Sequence, residues 1–149
     1  MAPLDALYEA HRHRLLRLAH LLTGSHALAE EIVQEAFVVL CARPGPIEHG
    51  PAYARGIVVN LSRKAQRRRG VEERHALRAQ VLPVVLPPEL DCTWAAVRRL
   101  PPDQRAVVVL RFYEDASLQD IADLLGHPLG TVKSHLHRAL RKLAKEITP

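Results

Sequence analysis

The chain has 149 residues, 48% hydrophobic, 25% charged and 4% aromatic, with a net charge of +5 and a sequence pI of about 9.7. That length allows one ordinary domain or two small ones, and the apolar fraction argues against a largely disordered chain. No apolar run reaches the ~18 residues of a membrane span, no basic-then-apolar leader is visible, and Cys41 and Cys92 form neither a C-x-x-C pair nor a zinc spacing, so a reduced, cytoplasmic setting is expected.

Leu4, Leu7, Tyr8, Leu15, Leu18 and Leu22 recur at helical steps, which predicts a first helix over Leu4–Leu22. Gly24 stops it, and Ser25 caps a second helix that runs to about Ala42 and buries Leu28, Ile32, Val33, Ala36, Phe37 and Leu40. Pro44-Gly45-Pro46 forbids continuation. After the loop Arg43–Pro51, a third helix is expected over Ala52–Arg69, ending at Gly70. From Gly70 to Pro88 the chain reads as a linker with a short apolar segment, Val81–Leu86, in which Pro83 weakens a strand. Asp91 can cap a short helix with Trp94, Val97 and Leu100. Pro101-Pro102 then restarts the chain, Ala106–Tyr113 carries an apolar stripe, and two further helices fill Ser117 to about Lys145. With β-branched alternation almost absent, the expected fold class is all-α: two small helical domains, 1–70 and 91–149, joined by a linker over 71–90.

Charge is unevenly laid out along these elements. Residues 1–50 hold four basic and six acidic side chains, and residues 51–80 hold eight and two. Residues 81–116 hold four and five, and residues 117–149 hold five and three. The total points only to some polyanionic partner; its layout asks for two basic contacts separated by acidic surface.

Ser117–Leu143 carries the most specific local pattern. Ser117 and Asp120 form a capping-box-like pair, and Ile121, Ala122, Leu124 and Leu125 make one apolar face. Ala122, Gly126 and Val132 stand at the spacing A-x3-G-x5-V. A small residue lets two helices cross closely, a glycine permits the turn, and a β-branched residue packs the second helix on the first, as a helix-turn-helix requires. On the second helix Val132, Leu136, Ala139, Leu140 and Leu143 share one side. Thr131, Ser134, His137, Arg138 and Arg141 share the other, flanked by Lys133 and His135. No Asp or Glu occurs from 124 to 145, so this face offers donors to bases and phosphates. A solvated basic face on a helical bundle is the plainer alternative.

On the third helix, Gly56, Asn60, Arg63 and Arg67 fall within about 80° of Tyr53 at ideal helical geometry. Ala54, Val58, Leu61 and Ala65 lie on a different, apolar face. The stripe combines a ring that can stack on an unpaired base, an amide that can read a base edge, and guanidinium groups for phosphates. Lys64, Arg68 and Arg69 add charge nearby. On the second helix Glu31, Gln34, Glu35 and Val38 lie away from the apolar face: a solvated acidic surface or a protein-binding one. There is no G-x-S-x-G, H-E-x-x-H, Walker loop or dinucleotide fingerprint, and the histidine pairs His11/His13 and His135/His137 point apart on a helix. No enzyme, cofactor or metal is expected.

Taken together these segments resemble a bacterial sigma factor of the extracytoplasmic-function group of the sigma-70 family, over nearly the whole chain. Ala29-Glu30-Glu31-Ile32-Val33-Gln34-Glu35-Ala36-Phe37 is similar to the family's region 2.2, and Ala52–Arg69, with Ile57-Val58-Val59-Asn60, to regions 2.3 and 2.4. Leu100-Pro101-Pro102-Asp103-Gln104-Arg105 and Leu118–Leu143 resemble region 4, with Gly130-Thr131-Val132-Lys133-Ser134 the most specific string. The resemblance implies that Glu31, Gln34 and Glu35 meet the clamp helices of the RNA polymerase β′ subunit. It implies that Tyr53, Asn60, Arg63, Lys64 and Arg67 face the −10 element, Asn60 against a flipped base and Tyr53 near the melting point. Lys133, Ser134, His135, His137 and Arg138 would face the −35 major groove, with Arg111 and Ser117 on its phosphates. The partners implied are core RNA polymerase, promoter DNA and an anti-sigma factor, with no membrane. Departures are Tyr53 where many members have tryptophan, Gly56 and His135 where arginine is common, and a short proline-rich loop at Arg43–Pro51. Thr131-Val132-Lys133-Ser134-His135 also resembles the LuxR output domain, so a stand-alone regulator is the alternative, with a helical protein-binding adaptor behind it.

Overall fold

Every regular element among the described residues, 3–43, 49–73 and 91–147, is helical in the computed structural model. The elements divide into two units, Met1–Leu82 and Pro83–Pro149. Of the expected linker 71–90, residues 74–90, including Val81–Leu86, lie outside the described residues, as do the loop residues 44–48 and the side chain of Trp94.

The first unit has α1 (Pro3–Thr23), α2 (His26–Ala42) and α3 (Gly50–Glu73), each packed on the other two. The α1–α2 corner is made by two residues. Gly24 takes φ 75° and returns its N–H to the His20 carbonyl at 2.7 Å. Ser25 then caps α2, its hydroxyl accepting from the Leu28 N–H at 3.2 Å. Both follow from elementary chemistry: glycine alone enters the left-handed region without cost, and a short hydroxyl satisfies an orphan N–H. Leu15, Leu18, Leu22, Ile32, Val33, Ala36, Phe37, Leu40, Ala54 and Val58 form the core, and Tyr8 meets Phe37 edge-on at 4.8 Å between ring centroids.

Three expectations need correction here. Helix α3 does not end at Gly70 but continues to Glu73; a mid-helix glycine costs about 1 kcal/mol without breaking the hydrogen-bond ladder, unlike proline. On α2 Ala29 is buried whereas Leu28 is only half-buried. The buried line of α3 runs through Val59 and Ser62, leaving Leu61 and Ala65 half-exposed.

The second unit has α4 (Asp91–Arg98), α5 (Pro102–Val108), α6 (Leu118–Leu125) and α7 (Leu129–Ile147). α7 packs on α4, α5 and α6. Pro102 opens α5 at its first position, where a missing N–H costs nothing. The apolar stripe Ala106–Tyr113 is not one regular helix: Val109–Tyr113 widens into a π-helical turn, closed by the Glu114 N–H on the Val109 carbonyl at 3.2 Å. Leu100, Val107, Leu110, Ile121, Val132, Ala139 and Leu143 fill this core. Leu140, expected on the packed side of α7, is 43% exposed, and Leu136 is half-buried. At ideal helical geometry Leu140 falls at the edge of the stripe set by Val132, Ala139 and Leu143, farthest from its buried centre.

Candidate nucleic-acid interface

The turn between α6 and α7 is built as the A-x3-G-x5-V spacing requires. The Ser117 hydroxyl accepts from the Asp120 N–H at 3.0 Å and fixes the start of α6. Gly126 ends it at φ 68° and ψ 31°, with its N–H on the Ala122 carbonyl. The His127 N–H shares that carbonyl at 3.0 Å. Pro128 then accepts from Thr131 at 3.0 Å and from Val132 at 3.2 Å, starting α7. Ala122 and Val132 are buried at the crossing, so the apolar side of α7 is locked and the opposite side is turned out.

That outer side carries Lys133, Ser134, His137, Arg138 and Arg141, all exposed, with Thr131 half-buried. His135 is half-buried instead of fully presented; its ring lies 6.0 Å from that of His127, centroid to centroid. Arg111 leaves the π-helical turn and donates from Nη1 to the Ala116 carbonyl at 3.0 Å. This bond holds the backbone just before Ser117, so Arg111 and Ser117 lie together at the entry to α6. A cationic, acid-free helix face set by a rigid turn can enter a major groove and make donor contacts to base edges and phosphates.

On α3 Tyr53, Asn60, Lys64 and Arg67 are exposed and Arg63 is half-buried, so the stripe expected from helical spacing is a surface stripe. The helix is continuous past Gly56. Two polar residues of its last turns face inward. Gln66 donates through Nε2 to the Leu22 carbonyl, and Arg69 donates through Nη1 to the Thr23 carbonyl at 3.3 Å. These carbonyls are C-terminal orphans of α1, and α3 satisfies them. Arg69, counted in the sequence among the cations beside the stripe, is thus tied to α1. The register Val58, Ser62, Gln66 continues the buried line of α3 in steps of four, which is the signal that marks Gln66 as a core-facing polar group. Arg43, at the end of α2, stacks its guanidinium over the Tyr53 ring; nothing in the spacing announces that contact.

Glu31, Gln34 and Glu35 are exposed on α2, on one side with Val38, which is 66% exposed. An apolar side chain among carboxylates on an unpacked helix face is suited to another protein's surface. Among the described residues no cluster of three or more His, Cys, Asp or Glu could hold a metal ion. No helix among them is long and apolar enough to cross a membrane.

Comparison with known proteins agrees with these two units. The family described as Sigma-70 region 2 matches residues 7–71, and that described as Sigma-70, region 4 matches residues 90–143. The ECF RNA polymerase sigma factor SigE of Mycolicibacterium smegmatis is 35% identical over 93% of this chain, which spans 59% of that protein's length. The RNA polymerase sigma-E factor of Streptomyces coelicolor is 34% identical over 89% of this chain and 79% of its own length. Among solved structures, the extracytoplasmic function sigma factor SigJ of Mycobacterium tuberculosis superposes with a TM-score of 0.69 at 26% identity, over 94% of this chain and 53% of that one. The sigma factor RpoE of Bartonella quintana, solved in complex with the anti-sigma factor NepR, has the same fold, with a TM-score of 0.75 at 23% identity over 96% of this chain and 95% of that one. This chain belongs to the extracytoplasmic-function group of the sigma-70 family of RNA polymerase sigma factors.

Proposed function

We propose that this protein directs core RNA polymerase to specific promoters by three contacts. The acidic face of α2, with Glu31, Gln34 and Glu35, docks on the clamp helices of the β′ subunit. The stripe of α3, with Tyr53, Asn60, Arg63, Lys64 and Arg67, engages the −10 element and assists its opening. The outer side of α7, with Lys133, Ser134, His135, His137 and Arg138, reads the −35 element, and Arg111 and Ser117 lie toward its phosphates. The division is 1–70 for polymerase and the −10 element, 71–90 as linker, with the end of α3 running into it as far as Glu73, and 91–149 for the −35 element. An anti-sigma factor is a further partner class, and the site of action is the cytoplasm, where the polymerase works. The chain adds no catalytic step of its own; polymerase supplies the chemistry.

One observation carries this reading: an acid-free, exposed face on the second helix of a rigid helix-turn-helix shares a chain with a separate three-helix unit whose own exposed stripe combines a ring, an amide and cations. Two weak contacts held at fixed separation gain far more than either alone, which is why a linker and a polymerase scaffold suit this charge layout. A stand-alone LuxR-type regulator would need an effector or dimerisation domain in the region where Sigma-70 region 2 matches. The test is transcription in vitro on a promoter library with and without this protein. Promoter-specific transcripts that need both core polymerase and this chain support the proposal; tight binding of a palindromic duplex by the chain alone, with no gain in specific initiation, contradicts it.

A further inference from the structure

The ring on the α3 stripe is not bare. Helix α2 ends at Ala42, and Arg43 leaves it in extended conformation, φ −74° and ψ 129°, with its N–H held by the Leu40 carbonyl at 3.2 Å. From there its side chain crosses to the first turn of α3 and lies over Tyr53, Cζ 4.2 Å from the ring centroid. The ring's own backbone is fixed by the Tyr53 N–H on the His49 carbonyl at 3.0 Å. Tyr53 is still 40% exposed, so Arg43 does not shut the residue off from solvent.

A guanidinium stacked on a ring keeps its N–H donors in its own plane, pointing outward around the rim. Stacking therefore leaves those donors for an anion placed beside the ring. A nucleotide offers both complements at once: a flat base for the uncovered face of Tyr53, and a phosphate within reach of a cation next to it. Arg43 follows the last residue of α2 and Tyr53 stands in the first turn of α3, so their pairing also joins the end of α2 to the start of α3 at the spot where a base would land. An ordinary surface arginine adds diffuse charge; this one has a fixed position relative to the stacking surface.

We propose that Arg43 is a single-strand-binding residue: stacked behind Tyr53, it holds the ring square to an unpaired base and bonds that nucleotide's phosphate. This rests on the reading that the α3 stripe meets the opened −10 strand. It adds a contact that lies off the stripe, from the residue that follows α2.

The experiment uses holoenzyme reconstituted from core polymerase with the full chain, as parent, Arg43→Ala and Arg43→Lys. Two DNAs are compared: a fork junction whose −10 non-template strand is unpaired, and a fully duplex upstream fragment. Arg43→Ala lowers fork-junction affinity about tenfold, since the stacking ring loses its support and the phosphate its cation. It also flattens the dependence of log affinity on log salt by about 0.7, the share of one single-stranded phosphate. Upstream duplex binding stays at the parent value. Arg43→Lys restores the salt slope while recovering only part of the affinity, because an ammonium is a point charge without the planar fork. Arg43→Ala with parental fork affinity and slope overturns the proposal. So does a loss of affinity with unchanged slope that lysine does not relieve, which marks a purely structural contact. If the parent holoenzyme selects no promoter, the promoter reading itself falls and Arg43 with it; failure confined to the Arg43 variants leaves that reading standing.

Discussion

Gly126 and Gly130 sit on either side of the same turn, and alanine at the two positions should have opposite effects. A Cβ at either position meets nothing within 4 Å, so crowding contributes to neither and the difference is conformational. Gly126 ends α6 at φ 68° and ψ 31°. An L-residue there costs about 1–2 kcal/mol, offset by about 0.4–1 kcal/mol of unfolded-state freedom that alanine removes. The expected net loss for Gly126→Ala is about 1 kcal/mol, or roughly 4–8 °C in melting temperature for a unit of this size. Gly126→Asn should lose less, because its short amide tolerates that region. Gly130 lies in the first turn of α7 and is not among the positive-φ residues, so alanine there gains up to about 0.5 kcal/mol. Both glycines belong to the second unit. Amide exchange within α6 and α7 during thermal unfolding follows that unit directly, which avoids treating a two-unit chain as one transition. Equal losses at both glycines would refute the conformational account, as would a Gly126→Asn variant no more stable than Gly126→Ala.

The bond from Gln66 to the Leu22 carbonyl makes a second prediction. Gln66→Ala leaves a C-terminal carbonyl of α1 without its donor and costs about 1–3 kcal/mol, while Gln66→Glu sets an oxygen against that carbonyl and costs more. Amide exchange in the last turn of α1 should quicken in that order; parental exchange rates in both variants would remove Gln66 from this role. Glu35 is exposed and supports no packing, so Glu35→Lys should leave unfolding unchanged while weakening core polymerase binding about fivefold, as expected for an exposed charge contact. Fluorescence anisotropy against core polymerase measures this, and unaltered binding would take Glu35 off the docking face.

Much of this architecture was legible because it depends on local chemistry. Gly24, Ser25, Pro102, Ser117 and Gly126 act through their own backbone preferences or a hydroxyl three residues from its partner, and those rules work without tertiary knowledge. The apolar periodicity of α1, α2 and α7 located the cores for the same reason. What spacing does not reveal is settled across elements. Gly70 stays helical because a glycine only weakens a ladder it does not interrupt. The π-helical turn at Val109–Tyr113 spaces its closing bond five residues apart, from the Glu114 N–H to the Val109 carbonyl, and hydropathy does not signal that. Arg69 reads as one more cation in a basic run until the α1 carbonyl it satisfies is visible. The Arg43 contact with Tyr53 joins two helices through a side chain at a loop edge, where periodicity is silent. The exposed stripes themselves needed only the complement of the buried ones, so most candidate DNA-facing residues could be named before any coordinates; the bond of Arg111 to the Ala116 carbonyl and the half-burial of His135 beside His127 were not legible, because they come from the turns and not from periodicity.

The central claim is that one chain reads two promoter elements with two separate faces, and crossing variants against promoter changes tests it most directly. Initiation rates are measured with core polymerase on a selected promoter, and on versions changed only in the −10 or only in the −35 element. Asn60→Ala should erase discrimination at the −10 element and preserve it at the −35 element. Arg138→Ala should do the reverse, each by about tenfold, the order expected for losing one good base or phosphate contact. Discrimination at both elements falling together in each variant, or at neither in both, would contradict the division of labour between α3 and α7.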